Sequence, residues 1–157
     1  MVSAIAVFQG PEIKGTVHFN EFKNGVVITI QLSGLKKNGL HGFHIHEYGD
    51  LSDGCNSACA HFNPYNKKHG CPGMLERHVG DLGNIQTDIF GNARYSTYDD
   101  CIKLRGYTSN IIGRMLIIHD DQDDCGTGTG AARAESLKTG NAGKRIACAV
   151  IGYSKMC

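Results

Sequence analysis

Several things are scarce or missing in this chain, and each narrows what it can be. It has no tryptophan and only three prolines, and none of its apolar runs approaches the roughly 20 residues that cross a bilayer as a helix. Charge of one sign is missing too: 16 Lys and Arg balance 15 Asp and Glu for a net charge of +1. A global basic field for gripping nucleic acid is thereby excluded. The opening residues, MVSAIAVFQGPEIKG, have no basic segment, and their apolar run is shorter than that of a secretory leader. A cytoplasmic protein with neither membrane nor nucleic acid as partner is expected. The seven cysteines contain no CxxC pair, which argues against a cysteine-rich zinc module. An odd number leaves at least one thiol unpaired in a monomer, and in a reducing compartment most are expected to be buried and inert. At 157 residues the chain is expected to form one domain, residues 1–157, large enough to bury its own core.

What is present reads as β structure. Short runs rich in β-branched and bulky apolar residues (SAIAVF, GTVHF, VVITIQL, GFHIHEY, ARYSTY, CIKL, RMLIIH and RIACAVIGY) alternate with KNG, KKNG, FGN and RGYTSN. The first group has strand composition and the second supplies the Gly and Asn of turns. This pattern predicts an all-β antiparallel sandwich or barrel. Two long segments interrupt it. Residues 48–80 hold Gly, Asn, Pro, His and Cys without a convincing strand, and residues 120–145 are polar and Gly/Thr-rich, with one helical turn expected around AARAESL. Long structureless segments in compact domains are usually functional or disordered, and the first of these carries many ligand-type side chains.

Three of the eight histidines crowd into GFHIHEYGD and the residue before it. On a strand, side chains alternate between faces. His44 and His46 then share one face, with Phe43 and Ile45 toward the core. His41 falls on the Phe43 side as a structural hydrogen-bonding residue. An HxH on a strand is equally well a polar decoration of an exposed face. The loop that follows adds His61, His69, His78 and Asp81, a donor set sufficient for tetrahedral zinc. In RHVGD a turn at Gly80 would bring His78 and Asp81 onto one ion. His119 ends the apolar run RMLII, where a strand meets a polar loop, whereas His18 sits in an ordinary strand.

Taken in order, GFHIHEYGD, HFNP, KHG, RHVGDLGN, IIGR, the DD before a Gly-rich loop, and KTGNAGKRIACAVIG resemble the copper/zinc superoxide dismutases over nearly the whole chain. The resemblance implies an eight-stranded antiparallel Greek-key barrel, an immunoglobulin-like sandwich, whose long metal-binding and electrostatic loops cover the metals. It implies Cu(II)/Cu(+) held by His44, His46, His61 and His119, and Zn(II) held by His61, His69, His78 and Asp81. His61 would serve both metals. Imidazole suits copper and zinc alike. Asp123 would tie His44 to His69, in competition with a plain acidic cluster of Asp120, Asp121 and Asp124. The implied activity is dismutation of two superoxide anions and two protons to dioxygen and hydrogen peroxide through copper cycling, as antioxidant defence. His61 and Arg145 would be the catalytic pair, Arg145 binding the anion. Lys138, Thr139 and Glu135 would guide it.

The same resemblance implies a Cys55–Cys148 disulfide, which in the chain-entropy account would stabilise by roughly 4–5 kcal/mol. It implies a homodimer with contacts near Ile112–Gly113 and Ile151–Gly152, and a copper chaperone as a candidate partner. Cys59 stands near enough to Cys55 to compete with that pairing, and Cys71 replaces a residue beside His69. The second long loop departs from the family pattern, with Ala134–Glu135 where two glutamates are common and Arg133 added. A stronger dependence of rate on ionic strength is expected. Two other classes stay open: a non-catalytic dismutase-like copper/zinc-binding domain, disfavoured by His119, Arg145 and the lack of an MxCxxC motif, and a zinc-only structural β-domain.

Overall fold

The computed structural model describes residues 1–155. Among these residues, nine strands form two antiparallel sheets. β1 (Ser3–Gln9), β2 (Lys14–Phe22), β3 (Gly25–Ser33), β6 (Ala93–Asp99) and β9 (Gly152–Tyr153) make the first, in the order β6-β3-β2-β1-β9. β5 (Asp81–Gln86), β4 (Leu40–His46), β7 (Met115–His119) and β8 (Arg145–Val150) make the second, in the order β5-β4-β7-β8. The expected all-β sandwich is what forms, and no helix among the described residues is long and apolar enough to cross a membrane.

Alternation decides which face of each strand is buried. In β3, Val26, Ile28, Ile30 and Leu32 enter the core while Val27, Thr29 and Gln31 stay more open. In β2, Val17 and Phe19 enter it and His18 is half-buried on the other side. Phe43 and Ile45 of β4 and Leu116 and Ile118 of β7 meet them from the second sheet. β4 and β7 are buried on both faces, because their other side is covered by the two long loops.

The expected strands depart from the observed ones in three places. CIKL is not a strand: the Asp99 carboxylate accepts the Cys101 and Ile102 amides at 2.8 and 3.0 Å, which turns the chain. DLGNIQ is one, although only Leu82 and Ile85 are apolar in it. RIACAVIGY divides at Ile151, so that Arg145–Val150 pairs with β7 and Gly152–Tyr153 pairs with β1 in the other sheet. Eight expected strands thus become nine, and the divided one stitches the two sheets together, a common way to turn a sandwich corner. Ile151 is fully buried, so its side chain belongs to the core and not to a dimer contact.

The cysteines also differ from expectation. Cys55 and Cys148 are bonded as the resemblance implies, and Cys71 is bonded to Cys125. Four of the seven are therefore cross-linked, against the expectation of mostly inert thiols. Cys59 and Cys101 are free, and Cys157 lies outside the described residues.

Candidate metal centre

β4 aims His44 and His46 away from the core, and β7 ends on His119 beside them. Between Ile118 and His119 the β7–β8 register slips by one residue, so that His119 lies opposite Arg145. Such a bulge re-aims side chains, and here it turns both residues toward the loops. His61 comes from the first loop, whose residue Phe62 accepts the Gly80 amide and donates its own to Ile45. Gly80 allows this approach, since a Cβ there would lie 2.1 Å from the Ile45 carbonyl oxygen.

Each imidazole of this first set has one nitrogen tied down and one free. His46 Nδ1 is 2.7 Å from the Cys59 carbonyl oxygen, His119 Nδ1 is 3.0 Å from that of Gly143, and His44 Nε2 is 2.5 Å from Asp123. Their other nitrogens, His44 Nδ1, His46 Nε2 and His119 Nε2, are buried without a hydrogen-bond partner, as is His61 Nε2. The four donor atoms of the set lie within 4.8 Å of one another. Unpaired buried nitrogens are costly, and four converging on one point fit a metal ion with a nitrogen donor set such as Cu(II). Burial holds His44 and His46 well below the ordinary imidazole range, lowers His61, and brings His119 to about 4. These rings are neutral at neutral pH, the form that binds metal.

A second set shares His61 through its other nitrogen. Asp81 Oδ1 lies 2.8 Å from His61 Nδ1 and 3.1 Å from Nδ1 of both His69 and His78, and the His61 and His78 Nδ1 atoms are 3.3 Å apart. Zinc–nitrogen bonds of about 2.0 Å imply tetrahedral edges of about 3.3 Å, so the donor spacing suits zinc. His69 Nδ1, though near Asp81, is not aligned for a hydrogen bond and counts among the unpaired atoms. Asp81 Oδ2 is fixed by the His78 and Gly70 amides at 2.8 and 3.0 Å. Burial alone would raise the Asp81 pKa, yet the hydrogen bonds from His61 and His78 and the nearby His69 ring hold it far below the carboxylate range. Burial also opposes protonation of His69, but the Asp123 and Asp81 carboxylates win and push it up to about 9.

Asp123 joins the sets, its two oxygens reaching His44 Nε2 and His69 Nε2 at 2.5 and 2.8 Å. It is not part of a solvated acidic cluster, being fully buried. His41 is no donor to either set. Its Nδ1 lies 2.7 Å from the His119 carbonyl oxygen and its Nε2 accepts the Lys36 amide at 3.2 Å, the structural role expected.

The first set opens onto a cleft of about 370 Å³ whose wall includes His46, His61, His119, Lys138, Thr139 and Arg145. The Arg145 guanidinium donates to the carbonyls of Cys55 and Asn56 at 2.7 and 3.3 Å and to that of Cys59, the group that also meets His46. Partial burial lowers its pKa from the arginine value, and it stays cationic. α1 (Arg133–Thr139) supplies Glu135, Lys138 and Thr139, and Glu135 accepts the Thr139 hydroxyl at 2.7 Å. Arg133 does not line the cleft; it donates to the Gly126 carbonyl at 2.9 Å.

Sequence reasoning overlooked several supports. Asn84 of β5 pairs with the Asp123 backbone in both directions, at 2.8 and 3.0 Å. Arg77 and Asp99 form a buried ion pair at 2.7 Å beside His78. Gly140 caps α1 at φ +73°, and a Cβ there would lie 2.1 Å from Asp123 Oδ1. The glycine after LKT was the visible signal, since helices often end in a left-handed Gly.

Comparison with known proteins agrees with this geometry. The family model for copper/zinc superoxide dismutase (SODC) matches residues 13–151. A copper–zinc superoxide dismutase of Paramecium bursaria Chlorella virus 1 is 62% identical over 154 residues, covering 98% of this chain and 80% of the relative. One from Kluyveromyces lactis is 50% identical over 157 residues, covering 98% of this chain and 99% of the relative. The crystal structure of the clock protein EA4 superposes with a TM-score of 0.92 at 44% identity, covering 98% of this chain and 95% of that one. These likenesses set aside both the non-catalytic and the zinc-only readings. The chain belongs to the copper/zinc superoxide dismutases, enzymes that use copper and zinc to convert superoxide to dioxygen and hydrogen peroxide.

Proposed function

We propose that His44, His46, His61 and His119 hold copper and that His61, His69, His78 and Asp81 hold zinc, with His61 shared through its two nitrogens. The observation that carries this division is the set of unpaired buried nitrogens, four directed to one point and the fifth, His69 Nδ1, to the other. Copper held there would supply the one-electron redox couple that dismutation of superoxide needs. Arg145 attracts and orients the anion at the cleft, and its carbonyl contacts keep the guanidinium beside His46. His61 Nε2 faces the cleft side, the atom at which a proton is held between the two halves of the reaction. Asp123 orients His44 and His69 through their outer nitrogens, the usual task of such a carboxylate. Lys138 and Thr139 narrow the approach, and Glu135 fixes Thr139.

A homodimer is part of the same proposal. Ile112 is half-buried, and at Gly113 and Gly152 a Cβ would meet nothing within 4 Å, so the backbone lies open there. The cytoplasm is the proposed compartment. Delivery of copper by a chaperone belongs to this reading through the family resemblance alone.

Metal analysis together with superoxide turnover tests the assignment. One copper and one zinc per chain, with turnover lost on copper removal and regained on its return, is the expected result. Copper without turnover, or zinc alone, would contradict it. Light scattering on the purified chain should give twice the monomer mass.

A further inference from the structure

We propose that the Cys71–Cys125 disulfide is a positioning crosslink that holds the loop-borne His69 in place for zinc, an inference that rests on the zinc assignment above. The other members of that set are anchored to the second sheet. His61 bridges to His46 beside β4, and His78 turns directly into Asp81 at the start of β5. His69 has no strand partner, and its amide donates to the Leu137 carbonyl of α1 at 2.9 Å, itself part of a loop.

Apart from the Gly70 amide on Asp81 Oδ2, the crosslink is what ties this stretch back to the second sheet, and it does so covalently and by a short route. β5 fixes the Asp123 backbone through Asn84. Two residues further on, the Cys125 amide donates to Asp123 Oδ1 at 2.7 Å, and Cys125 is bonded to Cys71. Two residues back from Cys71 stands His69, whose Nε2 returns to the same Asp123 oxygen at 2.8 Å. The covalent bond and the imidazole–carboxylate contact therefore run side by side, each two residues along from the other. Because the sulfurs are bonded to each other, they offer no thiolate to a metal, and the pair acts on His69 through the backbone. The crosslink also joins the first loop to the loop that carries Lys138 and Thr139 across the cleft.

The test uses the fully loaded enzyme and the rate at which zinc passes to a colorimetric chelator in excess. Peptide mapping without reductant should first find the Cys71–Cys125 linkage. Replacing both cysteines, as C71S/C125S and separately as C71A/C125A, should speed zinc release by about tenfold, the lower end of what removing a ligand-orienting contact costs. In a D123N background the same pair of substitutions should change the rate by less than about twofold, because both act on the same ligand. Amide exchange at His69 should rise while that at Ile45 stays unchanged. Equal zinc release with and without the crosslink, or the same acceleration in the D123N background, would overturn the crosslink proposal and leave the zinc assignment standing. A wild-type chain whose zinc does not depend on His69 would overturn both.

Discussion

The two imidazole sets differ in what carries them. His44, His46 and His119 stand on neighbouring strands, β4 and β7, with backbone ladders on both sides. His61, His69 and His78 come from a loop without a regular strand, and its shape depends on the Arg77–Asp99 pair, two disulfides and the Gly80 and Gly140 approaches. The strand-borne set faces a cleft, and the loop-borne set is closed off. This matches the general division between metal sites that keep an open position for chemistry and those that do not. The sheet supplies rigidity to the reactive set, whereas the closed set must be fastened by side chains, and that is why so many non-ligand residues crowd around it.

Separating the sets is the sharpest way to break this comparison. His46→Ala should abolish copper-dependent turnover, a loss beyond the roughly 10- to 100-fold typical of merely disorienting a ligand, while zinc content stays near one per chain. Loss of both metals together would show that the sets do not stand independently. Arg145→Ala should leave both metals in place and lower kcat/KM by about tenfold or more, since a charged cleft raises anion on-rates by at least that factor. Unchanged kcat/KM would remove Arg145 from the path of the anion.

In the metal-free chain His119 and His69, one from each set, should titrate with opposite signs. His119, lowered to about 4 from 6.5, favours the unfolded chain as protons bind, so its effect is absent above about pH 6.5 and destabilises as pH falls toward about 4. His69, raised to about 9 from 6.5, contributes stability below about pH 6.5 that is lost as pH rises through about 9. Thermal unfolding of the apo-protein should therefore peak near pH 6.5, and a monotonic profile would contradict the pairing. The smallest effect concerns salt. Arg133 is held away from the cleft, so Ala134→Glu should weaken the ionic-strength dependence of the rate by no more than about twofold; an unchanged dependence would show that this position does not steer the anion.

Much of this was legible in the residues. The composition of VVITIQL marked β3 as a strand, and alternation in FHIH put Phe43 and Ile45 on the core side of β4 and His44 and His46 on the other. DLGNIQ escaped notice since Asp81 and Asn84 break its apolar alternation, and the partners that hold their side chains lie at 70, 78 and 123. The Cys71–Cys125 bond, spanning 54 residues, leaves no trace in local spacing. It was nonetheless implicit in the expected His69–Asp123 contact, since each cysteine stands two residues beyond one partner. The departure of Arg133 from the cleft depended on a loop carbonyl that no pattern announces.

In the proposed arrangement one imidazole, His61, serves both sets. Electron paramagnetic resonance of the chain loaded with Cu(II) in the strand-borne set and Co(II) in the loop-borne set tests it directly. Coupling through the shared ring should extinguish the copper signal, which should return when cobalt is removed. A full-intensity, isolated Cu(II) signal with cobalt bound would show that His61 is not shared between the two sets.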